Sequence, residues 1–213
     1  MCDLEPDPCK EKPMKQENVI ELVLQSLEHE RGGIQVYTTA IGCAQNEDLK
    51  KEWQKYLEET KNHVRVMLEL CEALEIDPET DSLGRQIVKS LGEALVAAMK
   101  KAKTGDPAAA QIVACECVTL AETKDHLDWE LIGMLAEKGK GDALKALKAA
   151  YDEVEDQEDE HLYHSKGWCR ELWIQALGMK AVLPPPEERK HVKTAIGAAR
   201  AEKARGDFKG KSH

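Results

Sequence analysis

Long apolar runs are missing from this chain. No stretch is apolar for long enough to cross a membrane, and the first twenty residues lack the apolar segment that a secretory signal needs. No Cys-x-x-Cys pair occurs among the seven cysteines, which excludes a zinc ribbon and a rubredoxin-type iron site. An odd cysteine count without a tight framework fits reduced thiols and a cytoplasmic protein, although Cys2 and Cys9 leave one pairing open. Aromatic residues are scarce at 4%, and no strand-like alternation is found. A basic excess is lacking too: the net charge of −10 argues against nucleic acid as the main partner.

What is present is a helical composition, with 33% charged residues and Gly and Pro at moderate, well-placed positions. Pro6, Pro8 and Pro13 keep residues 1–15 irregular. A first long helix is expected from residue 16 to about 44. Asn46 caps a second that runs to about residue 75 and ends at Asp77-Pro78. Ser82 to about Lys103 reads as an amphipathic connector helix. Gly105-Asp106-Pro107 opens a third long helix to about residue 138. Gly139–Gly141 turns the chain, Asp142 caps a fourth long helix, and Gly178 closes it, with Pro184-Pro185-Pro186 beyond. Residues 178–213 carry nine Lys/Arg against four Asp/Glu, and read as a basic, solvated, partly disordered tail with one short surface helix over 187–204. The expected fold is all-α: an antiparallel four-helix bundle over residues 16–177, with an extra connector helix between its second and third helices.

Two apolar stripes are interrupted by ionisable residues. Leu144, Leu147, Tyr151, Val154 lead into Glu158 and His161, and Ser165, Trp168, Leu172 follow. Ile20, Val23, Leu27 lead into Glu30, and Ile34, Tyr37, Ile41, Ala44 follow. Buried carboxylates and imidazoles are costly unless paired or bound to a metal. In two-metal carboxylate bundles each helical hairpin supplies a Glu from one helix and Glu-x-x-His from the other, because residues three apart share a helix face. Glu158-x-x-His161 matches on the fourth helix, with Glu122 on the third and Glu30 on the first. The second helix offers His63, but Thr60 stands three before it and Glu59 four before it. Glu59 turns inward if a π-bulge rotates the helix there. Four carboxylates (Glu30, Glu59, Glu122, Glu158) and two imidazoles (His63, His161) suit two divalent ions such as iron or manganese.

Around this set, Tyr37 follows Glu30 by seven residues, and Trp129 follows Glu122 by the same interval. Both read as core packing, with Tyr37 able to hydrogen-bond a ligand carboxylate. His126 repeats the Glu59…His63 phrase as Glu122…His126 and is a further ligand or second-layer group. Glu160–His164 is a competing pair, His29 reads as surface, and Glu116 and Glu130 read as salt-bridge partners. Gly32-Gly33 suits either a local distortion or a close helix approach.

These residues resemble the ferritin-like superfamily, the di-iron carboxylate bundles that include bacterioferritins and rubrerythrins. The resemblance spans residues 16–177 and rests on Glu30…Tyr37, Glu59…His63, Glu122 and Glu158-x-x-His161. It implies a metal pair that reacts with oxygen or hydrogen peroxide, in ferroxidase, peroxidase or iron-handling roles, without the rubredoxin donor. Thr60 departs from the family's glutamate, so a scaffold or protein-binding bundle with a degenerate site is the alternative. A homodimer or small homo-oligomer is expected rather than a storage cage.

Overall fold

The computed structural model describes residues 15–138 and 141–208. Residues 1–14 and Gly139, where the irregular lead-in, the cysteine pair and part of the last inter-helix turn were expected, lie outside the described residues. Those described form eight helices and no strand. They are α1 (Gln16–Ile41), α2 (Glu47–Ala73), α3 (Leu83–Ala102), α4 (Pro107–Lys138) and α5 (Asp142–Ala176), followed by the short α6 (Pro186–Arg189), α7 (Ala195–Lys203) and α8 (Arg205–Phe208). Among the described residues no helix is long and apolar enough to cross a membrane.

Local chemistry sets most boundaries. The Asn46 side chain accepts from the backbone N–H of Asp48 and Leu49, Ser82 from Arg85, and Asp106 from Ala109, so three helices begin where a short polar side chain satisfies free N–H groups. α2 ends earlier than Asp77-Pro78 requires: Glu75 turns left-handed (φ 56°), and the Ile76 N–H reaches back to the Cys71 carbonyl. Gly178 (φ 74°) closes α5 as expected, with the Met179 N–H on the Ile174 carbonyl. Asp142 is not a cap. Gly141 (φ 89°) occupies that position, and Asp142 pairs with Lys145 from the first helical turn.

α1 packs against α2, α3 and α4; α5 packs against α4 and α2; α3 also packs against α4. Two apolar clusters result. One gathers Val36, Tyr37, Trp53, Tyr56, Met99, Val118 and Trp168; the other gathers Val23, Leu27, Met67, Trp129, Ile132 and Val154. Burying each large side chain contributes about 1.5–3 kcal/mol. α1 and α5 pass from the second cluster to the first, while α2 and α4 pass back. On each of these four helices the change of cluster coincides with buried polar residues: Glu30; Thr60 and His63; Glu122 and Asp125; Glu158 and His161. The polar layer thus lies between two dry ones.

Residues 179–208, expected as a solvated tail, lie against α5. Val182, Val192 and Ala201 are buried, and Arg170 of α5 makes a two-pronged ion pair with Glu187 (2.8 and 2.9 Å). Gly167 permits this approach, since a Cβ there would sit 2.6 Å from a Glu187 carboxylate oxygen. Basic composition alone did not reveal that the tail has an acidic anchor and an apolar underside.

Candidate metal centre

Two groups of buried side chains can each hold a cation: Glu30, His63 and Glu158, and Glu122, Glu158 and His161. Within each, one donor atom from every residue falls within 4.8 Å of the others, and Glu158 belongs to both. All five residues are almost wholly buried. They come from α1, α2, α4 and α5, each helix contributing at the level where the apolar clusters meet.

The orientation of each donor has a traceable cause. Tyr37 donates its hydroxyl to Oε1 of Glu122 at 2.8 Å, and Trp129 donates its indole N–H to Oε1 of Glu30 at 2.9 Å. The recurring Glu-x6-aromatic interval therefore works crosswise: the aromatic after each glutamate holds the other glutamate. Trp129 does more than pack. Among the described residues the second oxygens, Oε2 of Glu30 and Oε2 of Glu122, have no hydrogen-bond partner, and neither oxygen of Glu158 has one.

The two imidazoles are held from outside in the same manner. Nε2 of His63 lies 2.8 Å from Oε1 of Gln157, and Nε2 of His161 lies 2.9 Å from Oε2 of Glu59. An N–H donated outward leaves Nδ1 as the inward-facing lone pair of the neutral ring, the form a metal requires. Nδ1 of His63 sits 2.9 Å from Oε1 of Glu158 and 3.5 Å from Oε1 of Glu30, without the alignment of a hydrogen bond. Nδ1 of His161 sits 3.6 Å from both Oε2 of Glu122 and Oε1 of Glu158.

Electrostatics follow from crowding. Burial disfavours charge on His63, but Glu30 and Glu158 outweigh it and hold the imidazole well above its ordinary pKa. Burial likewise opposes protonation of His161, and Glu122, Glu59 and Glu158 push it up to about 9. Without a cation the histidines act as the counter-charges. The donors are carboxylates and imidazoles alone, hard to borderline ligands of the kind that divalent cations take.

Of the six residues read from sequence, Glu59 is the one outside both groups. α2 is an unbroken α-helix, so no π-bulge turns Glu59 inward. Its carboxylate is a fifth exposed, reaches His161 from the far side, and lies 3.5 Å from Lys55. Burial raises and the His161 hydrogen bond lowers its pKa, with a net lowering. Thr60 is buried and spends its hydroxyl on the Tyr56 carbonyl. A Cβ on Gly33 would come within 3.1 Å of the Thr60 methyl, so that glycine serves close packing in an undistorted helix.

Other expectations resolve plainly. His126 bonds to Asp159 at 2.7 Å and belongs to neither group, although it lines a cavity that Glu158 also reaches. Glu160 pairs with Lys55, and His164 turns to Glu52 (2.7 Å), so these two do not form a pair. His29 is half-buried and meets the Ala121 carbonyl. Glu116 accepts from the Trp173 indole, and Glu130 lies 4.0 Å from His126 on its own helix.

Two features were missed. Asp125 is buried, Oδ1 has no partner among the described residues, and burial together with Glu158, Glu30 and Glu122 holds its pKa well above the ordinary range. Its signal was the spacing Glu122-x-x-Asp125, which repeats that of Glu158-x-x-His161. The second feature is a polar cluster of Glu52, Tyr56, His164 and Trp168, joined to the centre by the Tyr56 ring, 4.0 Å from that of His161. No family model, curated protein or solved structure matches this chain, so a functional reading rests on the site's own geometry.

Proposed function

We propose that this protein is a ferritin-like dinuclear metal protein that binds two divalent ions, iron or iron with manganese, and oxidises Fe(II) or reduces oxygen or hydrogen peroxide. In this reading α1, α2, α4 and α5 form an antiparallel four-helix bundle, and α3 is the connector. The alternating passage of these helices between the two apolar clusters supports it. The observation that carries the proposal is the meeting of two three-residue donor groups on one shared carboxylate, Glu158, in a buried layer.

Each residue then has a stated task. Glu30 and His63 hold one ion, Glu122 and His161 the other, and Glu158 serves both. Tyr37 and Trp129 fix one oxygen of Glu122 and Glu30 and leave the second buried without a partner among the described residues. Gln157 and Glu59 hold the histidine tautomers. Bound there, a redox-active metal pair supplies the electrons that oxygen or peroxide takes up. The apolar clusters on either side lower the local dielectric and so strengthen the attraction of these carboxylates for cations.

The test is anaerobic loading with Fe(II), then elemental analysis of the desalted protein and an absorption spectrum after exposure to air. Two ions per chain in the wild type, and loss of both in Glu158→Ala, is the expected result. Equal metal content in wild type and variant overturns the proposal.

Thr60 favours a second reading, a non-catalytic scaffold in which the acids are balanced by protonated His63 and His161. Its mark is a melting temperature unchanged by Fe(II), Mn(II) or a chelator.

A further inference from the structure

The outward faces of α3 and α4 are apolar where solvent-facing helices are normally charged. Leu83, Ile87 and Leu91 repeat every four residues along α3 and are each at least half exposed. Leu120, Leu127 and Met134 repeat every seven along α4 and are about half exposed or more, with Leu131 beside them. Such spacings keep each set on one helix face, for roughly 20 Å in α4. The two stripes adjoin, because Leu91 and Leu120 line the same cavity of about 270 Å³, whose floor includes Gly33, Val36 and Ala121.

We propose that this α3–α4 face is the surface on which a second copy of the chain docks. The seven side chains expose on the order of 700 Å², more than the largest apolar patch of a typical monomer (about 300–600 Å²) and near the ~800 Å² that each partner of a standard interface buries. The short 103–106 link makes α3 and α4 antiparallel neighbours, so a two-fold axis through the face brings α3 of one copy onto α4 of the other. Charges of both signs border the stripes: Lys124, paired with Asp128, lines the cavity between them, and Glu130 is half exposed on α4, so each copy offers the other a cation and an acid. A membrane surface would select cations only, and the chain's net charge of −10 opposes an anionic bilayer. A leucine or methionine from the partner also fills the cavity between the stripes.

This interface does not depend on the metal reading, and its failure leaves that reading standing. The test is sedimentation velocity of the full chain across the micromolar range. The wild type is expected to sediment as two chains. The double variant Leu91→Glu/Leu127→Glu is expected to sediment as one, with an unchanged helical circular-dichroism spectrum and unchanged Mn(II) content. Leu68→Glu, on the exposed side of α2, is expected to remain dimeric. A wild type that stays monomeric throughout overturns the proposal, as does one that is monomeric and floats with neutral phosphatidylcholine vesicles. A double variant that remains dimeric also overturns it, by moving the contact elsewhere.

Discussion

Two sets of buried charges lie three turns apart on α5, and they are built on opposite plans. Around Arg170 and Glu171 the charges close on one another. Arg170 grips both oxygens of Glu187, and Glu171 accepts from Arg205 (2.6 Å), Arg170 (3.1 Å) and the Val182 backbone (2.8 Å). Around Glu158 and His161 the counter-charges are the imidazoles of His63 and His161, which lie 2.9–3.6 Å from the carboxylates without the alignment of hydrogen bonds. Glu158, Oε2 of Glu30, Oε2 of Glu122 and Oδ1 of Asp125 have no hydrogen-bond partner among the described residues, although guanidinium groups elsewhere in the chain show how such acids are matched. A buried ion-pair network made only for stability would have the first form. In the metal reading proposed above, these converging donors are where a positive ligand sits.

The largest break in this contrast is expected from Arg170→Ala. Removing the cation strands Glu187 and half-strands Glu171, and urea denaturation should register a loss of about 3–5 kcal/mol. A loss below about 1 kcal/mol would mean that this network is no more closed than the centre.

Next comes the ligand itself. At a free Mn(II) concentration 100-fold above its dissociation constant, the wild type should gain about 2.7 kcal/mol in thermal or chemical unfolding. Glu158→Gln should gain nothing, because the residue common to both groups is gone. Arg170→Ala, by contrast, should keep the whole metal-dependent gain. Equal gains in wild type and Glu158→Gln would abolish the distinction between the two regions.

Proton competition sharpens it further. His161 must lose its proton to use Nδ1, and its pKa in the metal-free chain is about 9. Mn(II) affinity should therefore rise between pH 7 and 8 by about tenfold for each proton displaced, about 1.4 kcal/mol. The metal-free protein should respond in the opposite sense. A raised histidine pKa contributes stability that is complete below its unfolded value of about 6.5 and is lost as pH rises through about 9. Isothermal titration with metal, and unfolding without it, over that window check both signs.

The smallest effect is expected from Tyr37→Phe, which removes one hydrogen bond to Glu122. A cost of about 1 kcal/mol, with the amount of bound metal unchanged, is predicted from unfolding curves and elemental analysis. Loss of metal in this variant would move Tyr37 from an orienting role to an essential one.

Much of the centre was legible because two rules act locally. Helical periodicity shows which residues share a face, and burial makes an acid or imidazole on an apolar face conspicuous. Glu30, Glu158 and His161 stand out on those grounds, and Glu122 and His63 follow from their matching levels. Glu59, which falls outside both groups, and Asp125, which the sequence reading passed over, share one reason. Each lies three or four residues from a member of the two buried groups, and the rotation of α2 and α4 against their neighbours decides which faces inward. The tail was misread because Lys and Arg counts say nothing about Glu187, whose meaning depends on Arg170 seventeen residues earlier.

Helix starts at Asn46, Ser82 and Asp106, the stop at Gly178 and the polar interruption of each stripe follow from interactions spanning one or two turns of chain, and these can be read from neighbouring residues. The crosswise grip of Tyr37 on Glu122 and of Trp129 on Glu30, the outward anchoring of the two histidines and the docking of the last helices on α5 join residues 17 to 102 positions apart. Only packing can decide those, because the rotation and depth of a helix are set by the side chains of its neighbours and not by its own period.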